Sequence, residues 1–162
     1  PLLTHDGRRV AFVFVGEGVL GNRMKEFVRK RALSDVVFIP YQNKENLNYS
    51  LNAADVHWCI NAKGIKGVSV PSKIYGILAA GKPIIGVQEK NSEAYRIVEK
   101  TRCGLLSEPG DREKLFENVN WFIEQSGKAQ IDEMGKRGRE YLVDCLTKEI
   151  SVGKYKKELN SL

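Results

Sequence analysis

The chain has 162 residues, 42% hydrophobic and 28% charged, with a formal net charge of +6. That length suits one domain with a real core, and the composition is that of a soluble globular protein. No apolar run approaches the length that spans a bilayer, no signal-peptide pattern occupies Pro1–Val10, and three scattered cysteines with two histidines have no metal-ligand spacing.

Val10–Val15 (VAFVFV) is almost wholly apolar and reads as a strand covered on both faces, as in a parallel sheet. A helix follows over Val19–Arg31, with Leu20, Met24, Phe27 and Val28 on one side. Val36–Ile39 is a second strand, stopped by Pro40, and Asn43–Ala54 a helix carrying Leu47 and Leu51. Val56–Ile60 is a third strand, and His57 within it, beside Trp58, is read as structural. Asn61–Val70 is a loop rich in glycine and lysine, Ser72–Ala80 a helix and Pro83–Val87 a fourth strand. Ser92 caps a helix to about Lys100, Cys103–Ser107 is a fifth strand, and Asp111 caps a helix to about Gln125. Helical periodicity continues over Ile131–Leu146, and a last helix over Thr147–Leu162. Strands alternating with helices predict an α/β fold: a Rossmann-like, doubly wound parallel sheet with helices on both faces.

In such a fold ligands bind at the carboxyl ends of the strands. Gly16–Gly21, Pro40–Gln42, Asn61–Lys73 and Gly86–Glu93 all emerge on that edge. The most informative of these is the segment from Gly67 to Gly86. Pro71 suits a helix start, because it has no N–H to lose and its φ is already near helical. Ser72 and Lys73 fall in the first turn, where free amides and the positive dipole end favour an anion. Amides, a hydroxyl and an ammonium delivered to one point form a candidate diphosphate site.

Gly16-Glu17-Gly18-Val19-Leu20-Gly21 spells the G-x-G-x-x-G of dinucleotide folds. That motif needs an acid at the end of the next strand to hold a ribose. The strand ends Ile39-Pro40-Tyr41-Gln42, and Asp35 stands at its opposite end. The glycines are therefore assigned to a tight turn at the rim of a nucleotide pocket. Cys59, Cys103 and Cys145 are read as free thiols of a reducing compartment. The basic runs Arg23–Arg31 and Lys148–Lys157 are solvated helix faces or attract an anionic partner. Aromatic residues do not interleave with them, which argues against nucleic acid.

Taken in order, VFVGEG, VVFIPYQNKENLNYSLNAADV, VPSKIYGILAAGKPIIG, Glu93, CGLLSEPGD and EMGKRGREYL resemble the C-terminal domain of family-4 retaining glycosyltransferases. These are nucleotide-sugar enzymes of the GT-B fold, and the Pro-Ser-Lys segment is similar to that of bacterial enzymes building capsule, O-antigen and exopolysaccharide. The resemblance runs from about Val10 to Leu146. It implies that residues 1–162 are the donor-binding half of a two-domain enzyme, with 147–162 as its C-terminal helix and the N-terminal acceptor domain absent from this chain. The donor is then a nucleoside diphosphate sugar, UDP-sugar first, with no metal or other cofactor. The acceptor is a glycan or polyprenyl-linked glycan, and the full enzyme is cytoplasmic or peripheral to the inner face of the membrane. The fragment alone is expected to transfer nothing.

Carried over by position, Pro71, Ser72 and Lys73 take the diphosphate. Ile39, Pro40 and Tyr41 line the base and ribose pocket, and Glu93 is an acid near the sugar or else a first-turn acid facing its helix dipole. Gly16, Glu17, Gly18, Asn61 and Lys63 form the rim. No catalytic residue is assigned. Many members carry a glutamate pair at the positions of Val68 and Gly76, which departs from the family pattern and leaves Asn61 and Lys63 as substitutes. A GT-B-fold sugar-nucleotide epimerase and a non-catalytic nucleotide-sugar binding module remain as alternatives.

Overall fold

The computed structural model describes residues 10–161. The readings of Pro1–Arg9 and of the helix end at Leu162 lie outside the described residues. The chain divides into two compact units, Pro1–Ser50 and Leu51–Leu162.

In the first unit, β1 (Phe12–Val15) pairs in parallel with β2 (Val36–Ile39), Phe12 opposite Val36 and Val15 opposite Ile39. Helix α1 (Gly21–Lys30) connects them, and the Phe14 and Phe38 rings stack at 5.4 Å. The expectation of a strand covered on both faces does not hold: Val13 is 51% and Val15 49% exposed. Two strands with one ten-residue helix supply too little apolar surface to close over them. Helix α1 also starts two residues later than the periodicity suggests, because Gly16–Leu20 is spent on the turn. The predicted helix over Asn43–Ala54 resolves into a 3₁₀ turn, Lys44–Asn46, and a short α2 (Leu47–Asn52).

The second unit is a parallel sheet in the order β3 (His57–Ile60), β4 (Ile84–Val87), β5 (Gly104–Ser107). The single sheet expected from the sequence is thus two separate ladders among the described residues. His57 faces Ile84 and Ile84 faces Gly104, so the three carboxyl ends finish level at Ile60, Val87 and Ser107. β4 is buried throughout, as a central parallel strand must be. The helices are α3 (Lys73–Ala79), α4 (Glu93–Thr101), α5 (Arg112–Glu124), α6 (Ala129–Cys145) and α7 (Lys148–Leu159). Ser92, Asp111 and Thr147 cap α4, α5 and α7 through their side-chain oxygens.

Cys59, Ile74, Ile77, Leu78, Ile84, Ala94, Ile97, Val98 and Cys103 form the core of this unit. Helix α6 is held against it by absence of side chain: a Cβ on Gly135 would lie 1.9 Å from the Gly81 carbonyl oxygen, and one on Gly138 2.8 Å from Leu78. Its arginines complete the ends of two other helices. Arg137 donates to the carbonyls of Thr101 (3.1 Å) and Arg102 (2.7 Å), and Arg139 to that of Ala79. The EMGKRGREYL segment, one of those that carried the resemblance, is therefore a clamp on the ends of α3 and α4.

Candidate functional site

The carboxyl edge of the second unit is built around Gln88, the residue after β4. It is fully buried; its amide N–H bonds the Ser107 carbonyl at 3.0 Å and its side-chain Nε2 the Cys59 carbonyl at 2.9 Å. Gln88 thereby ties the ends of all three strands together. Its Oε1 is buried with no hydrogen-bond partner among the described residues.

Two loops leave this edge on either side. The Asn61–Val70 loop leads from β3 into α3. Asn61 extends the ladder, its N–H bonding the Val87 carbonyl at 2.9 Å. Pro71 precedes the N-cap, Ser72, whose backbone is already helical at φ −56° and ψ −26°. The amides of Ile74 and Tyr75 are spent internally, on the carbonyls of Pro71 (3.0 Å) and Ser72 (3.2 Å). The expected first-turn anion site is thereby narrowed to the N–H groups of Ser72 and Lys73, which have no hydrogen-bond partner among the described residues. Both residues are exposed, and the Lys73 ammonium makes no ion pair among the described residues.

Lys73 nonetheless acts on the core. Burial pushes the Cys59 thiol up to about 11, Lys73 pulls against that rise, and the neighbouring Cys103 thiol adds to it. Burial raises Cys103 as well. Cys59 and Cys103 are free and buried and Cys145 free and half-buried, as the sequence suggested. His57 is structural: its Nε2 donates to the Leu51 carbonyl at 2.7 Å.

The other loop, after β4, carries Glu93 into the first turn of α4, exposed to solvent. The sequence reading missed Glu89. Its Oε2 accepts the N–H groups of Gly64 (3.0 Å) and Lys66 (3.1 Å) across the two loops. It shares a cleft of about 200 Å³ with Lys63, Lys66, Lys90, Glu108 and Pro109, so only Lys63 of the predicted residues lines that cleft. Gly64 and Gly67 adopt φ values of +89° and +78° in this loop, but glycines in a loop do not name the side chain that their turn receives. Of the two positions that the resemblance pairs with glutamates, Val68 is 83% exposed and Gly76 sits in mid-α3 beside Leu51.

In the first unit, Gly16 adopts φ +98° and donates to the Ile39 carbonyl at 2.9 Å. A Cβ on Gly16 would stand 3.8 Å from the Tyr41 ring, so the rim and base-pocket residues predicted there are neighbours. Tyr41 is 82% exposed, and Gln42 donates to the Pro40 carbonyl at 2.9 Å. Glu17 and Gly18 are exposed in the same turn, whose Gly21 N–H bonds the Gly18 carbonyl at 2.8 Å. Among the described residues no three His, Cys, Asp or Glu groups are placed to hold a metal, and no helix is long and apolar enough to cross a membrane.

Residues 1–141 match the family described as "Glycosyl transferases group 1". The chain is 29% identical over 147 residues to the probable glycosyltransferase WbjE of Pseudomonas aeruginosa, covering 91% of this chain and 36% of that protein. It is 28% identical over 88 residues to the putative colanic acid biosynthesis glycosyl transferase WcaI of Escherichia coli K12, covering 54% of this chain and 22% of the relative. It thus spans about a third or less of these relatives' length. Anabaena HepE, crystallised with UDP, superposes with a TM-score of 0.73 at 18% identity over 94% of this chain and 41% of its own. The sucrose-phosphate synthase of Thermosynechococcus elongatus gives 0.68 at 21% identity, over 92% of this chain and 38% of its own. Those two likenesses establish the fold expected from the resemblance. The family match, over most of the chain and including the segment from Gly67 to Gly86, establishes that this chain belongs to the group 1 glycosyl transferases.

Proposed function

We propose that this chain is the donor-binding part of a retaining hexosyltransferase. It takes a hexose from a nucleoside diphosphate sugar, UDP-linked in first place, and serves cell-surface polysaccharide synthesis. The acceptor, a glycan or polyprenyl-linked glycan, is held by an N-terminal domain of the same protein at the cytoplasmic face of the membrane. This chain alone is expected to transfer nothing. The name of the Escherichia coli relative and the UDP in the Anabaena structure support the reading.

The observation that carries it is the pair of unpartnered amides at Ser72 and Lys73, with an exposed ammonium on the second, inside the family match. A nucleoside diphosphate gains negative charge as it leaves. Oriented N–H donors and a cation stabilise that added charge more than the lower charge the diphosphate carries while the sugar is attached. In this reading Pro71, Ser72 and Lys73 are the diphosphate residues and Ile39, Pro40 and Tyr41 the base and ribose residues, while Glu93 is an acid for the sugar or else a first-turn acid facing its helix dipole. The exposed flat ring of Tyr41 suits stacking on a base. The second reading, a binding module without catalysis, is favoured by Val68 and Gly76, neither of which offers a side-chain acceptor to a sugar hydroxyl.

Titration of UDP and GDP, each with and without EDTA, tests the reading. One of them binds, and chelation leaves its affinity unchanged. Lys73→Ala weakens binding by about 1.5–3 kcal/mol, the range for a charge-assisted hydrogen bond. Absence of binding by both nucleotides overturns the donor site. Sugar transfer by the full-length protein, lost in its Lys73→Ala variant, separates the enzyme from the binding module.

A further inference from the structure

We propose that Glu89 is a positioning residue: its carboxylate latches the 62–70 loop into the shape that leads into Ser72 and Lys73. The inference rests on the donor-site reading only for its consequence on nucleotide affinity.

The loop has little else to hold it. Ile65 is half-buried and the other residues from 62 to 70 are exposed. Within the loop, the amides of Val68 and Ser69 both bond the Ile65 carbonyl, at 3.1 and 3.2 Å. Among the described residues, the two bonds to Glu89 are the only hydrogen bonds from 62–70 to the rest of the chain. Gly64 and Gly67 lie in the left-handed region, and a Cβ on either would meet open space. Their conformation, not crowding, demands glycine there. The turned backbone gathers the N–H groups of Gly64 and Lys66 onto one point, an anion receptor in which Glu89 Oε2 sits.

The backbone at the acid end of the latch is anchored. Glu89 follows Gln88, whose backbone and side chain are both bonded into the strand ends and which is fully buried. A carboxylate carried on this anchored backbone grips a loop that is otherwise tied only at its ends. Lys63, Lys66 and Lys90 line the same cleft as Glu89, so releasing the loop also frees the lysines it carries. With hydrophobic residues at the family's glutamate positions or none, this loop is the segment through which Asn61 and Lys63 would reach a donor.

Glu89→Gln, which keeps an acceptor oxygen but not the charge, and Glu89→Ala test the latch in the whole chain. Hydrogen exchange at the Gly64 and Lys66 amides is expected to accelerate on the order of tenfold in Glu89→Gln and further in Glu89→Ala. Tryptic cleavage after Lys63 and Lys66 should rise in the same order, while the β4 amides stay protected as a control for folding. UDP affinity should fall in that order too, by roughly three- to tenfold, because a smaller fraction of the protein holds the competent loop. Unchanged exchange at Gly64 and Lys66 overturns the latch. A loosened loop with unchanged or tighter UDP binding overturns the positioning role, tighter binding showing that the carboxylate competes with the ligand. If the wild-type chain binds neither UDP nor GDP, the donor reading and the positioning role fall together, and the exchange data alone decide whether the latch exists.

Discussion

The three-stranded unit seals its central strand β4 completely, whereas the two-stranded unit leaves Val13, Phe14 and Val15 between 41% and 51% exposed. Both are parallel ladders of four-residue strands with apolar sequences. The difference is what packs on them. The second unit has helices whose buried faces meet in one cluster, with glycines at the points of closest approach. The first has a single helix of length, in which no residue is buried. Apolar composition in a strand therefore predicts that it will be a strand, and says little about whether anything covers it.

The two units should respond most differently to one added methyl group. A Cβ on Gly135 would fall 1.9 Å from the Gly81 carbonyl oxygen, and one on Gly104 2.1 Å from that of Ile84, both backbone atoms that cannot step aside. Gly135→Ala and Gly104→Ala should each cost about 3 kcal/mol or more, by parting α6 from the α3 turn or β5 from β4. Gly18→Ala in the first unit meets nothing within 4 Å and should change stability by less than about 0.5 kcal/mol. Urea denaturation of the three variants checks this, and equal losses in all three would erase the distinction between the units.

A smaller effect comes from the dryness of the second core. Cys59 is held at about 11 by burial, above its ordinary value of 9.0. Below about 9 the thiol is protonated in both folded and unfolded chains and contributes no pH dependence. Between 9 and about 11 the unfolded thiol ionises and the folded one does not, so stability falls as pH rises. The loss is on the order of 2 kcal/mol, deepened by Cys103, which burial shifts the same way. Cys59→Ala should flatten the decline. At pH 8, thiol-reactive probes should modify half-buried Cys145 before Cys59 and Cys103.

Much of this was legible in the sequence, because the signals were local. Ser92 and Asp111 announced helix starts and cap as expected, and Thr147, read only as the start of the last helix, caps it as well. The helix start proposed to hold the diphosphate was legible as a place and not as a set of atoms. Pro71 and Lys73 mark the helix start, but only the structure shows that the Ile74 and Tyr75 amides turn inward onto Pro71 and Ser72. Glu89 was not legible, since its partners lie 23 and 25 residues away along the chain and are backbone groups, which every sequence has. Gly135 and Gly138 read as part of a helix, and the reason for them is a contact with Gly81 and Leu78 that no periodicity encodes.

A smaller effect, of opposite sign, bears on the same helix that carries the candidate site. Gly76 lies in the middle of α3, where glycine costs helix stability, yet a Cβ there would stand 3.5 Å from Leu51, an ordinary contact. Gly76→Ala should therefore stabilise the second unit by about 0.5–1 kcal/mol, through lower chain entropy in the unfolded state and better helix propensity. Glycine at this position is then retained against stability, in contrast to Gly104 and Gly135, which are required by it. If Gly76→Ala stabilises the fold and leaves UDP affinity unchanged, the position is free to accept a side chain, and space does not dictate glycine there. If it destabilises, α3 packs more tightly than its 3.5 Å gap indicates, and the second unit tolerates added atoms no better at Gly76 than at Gly104 and Gly135.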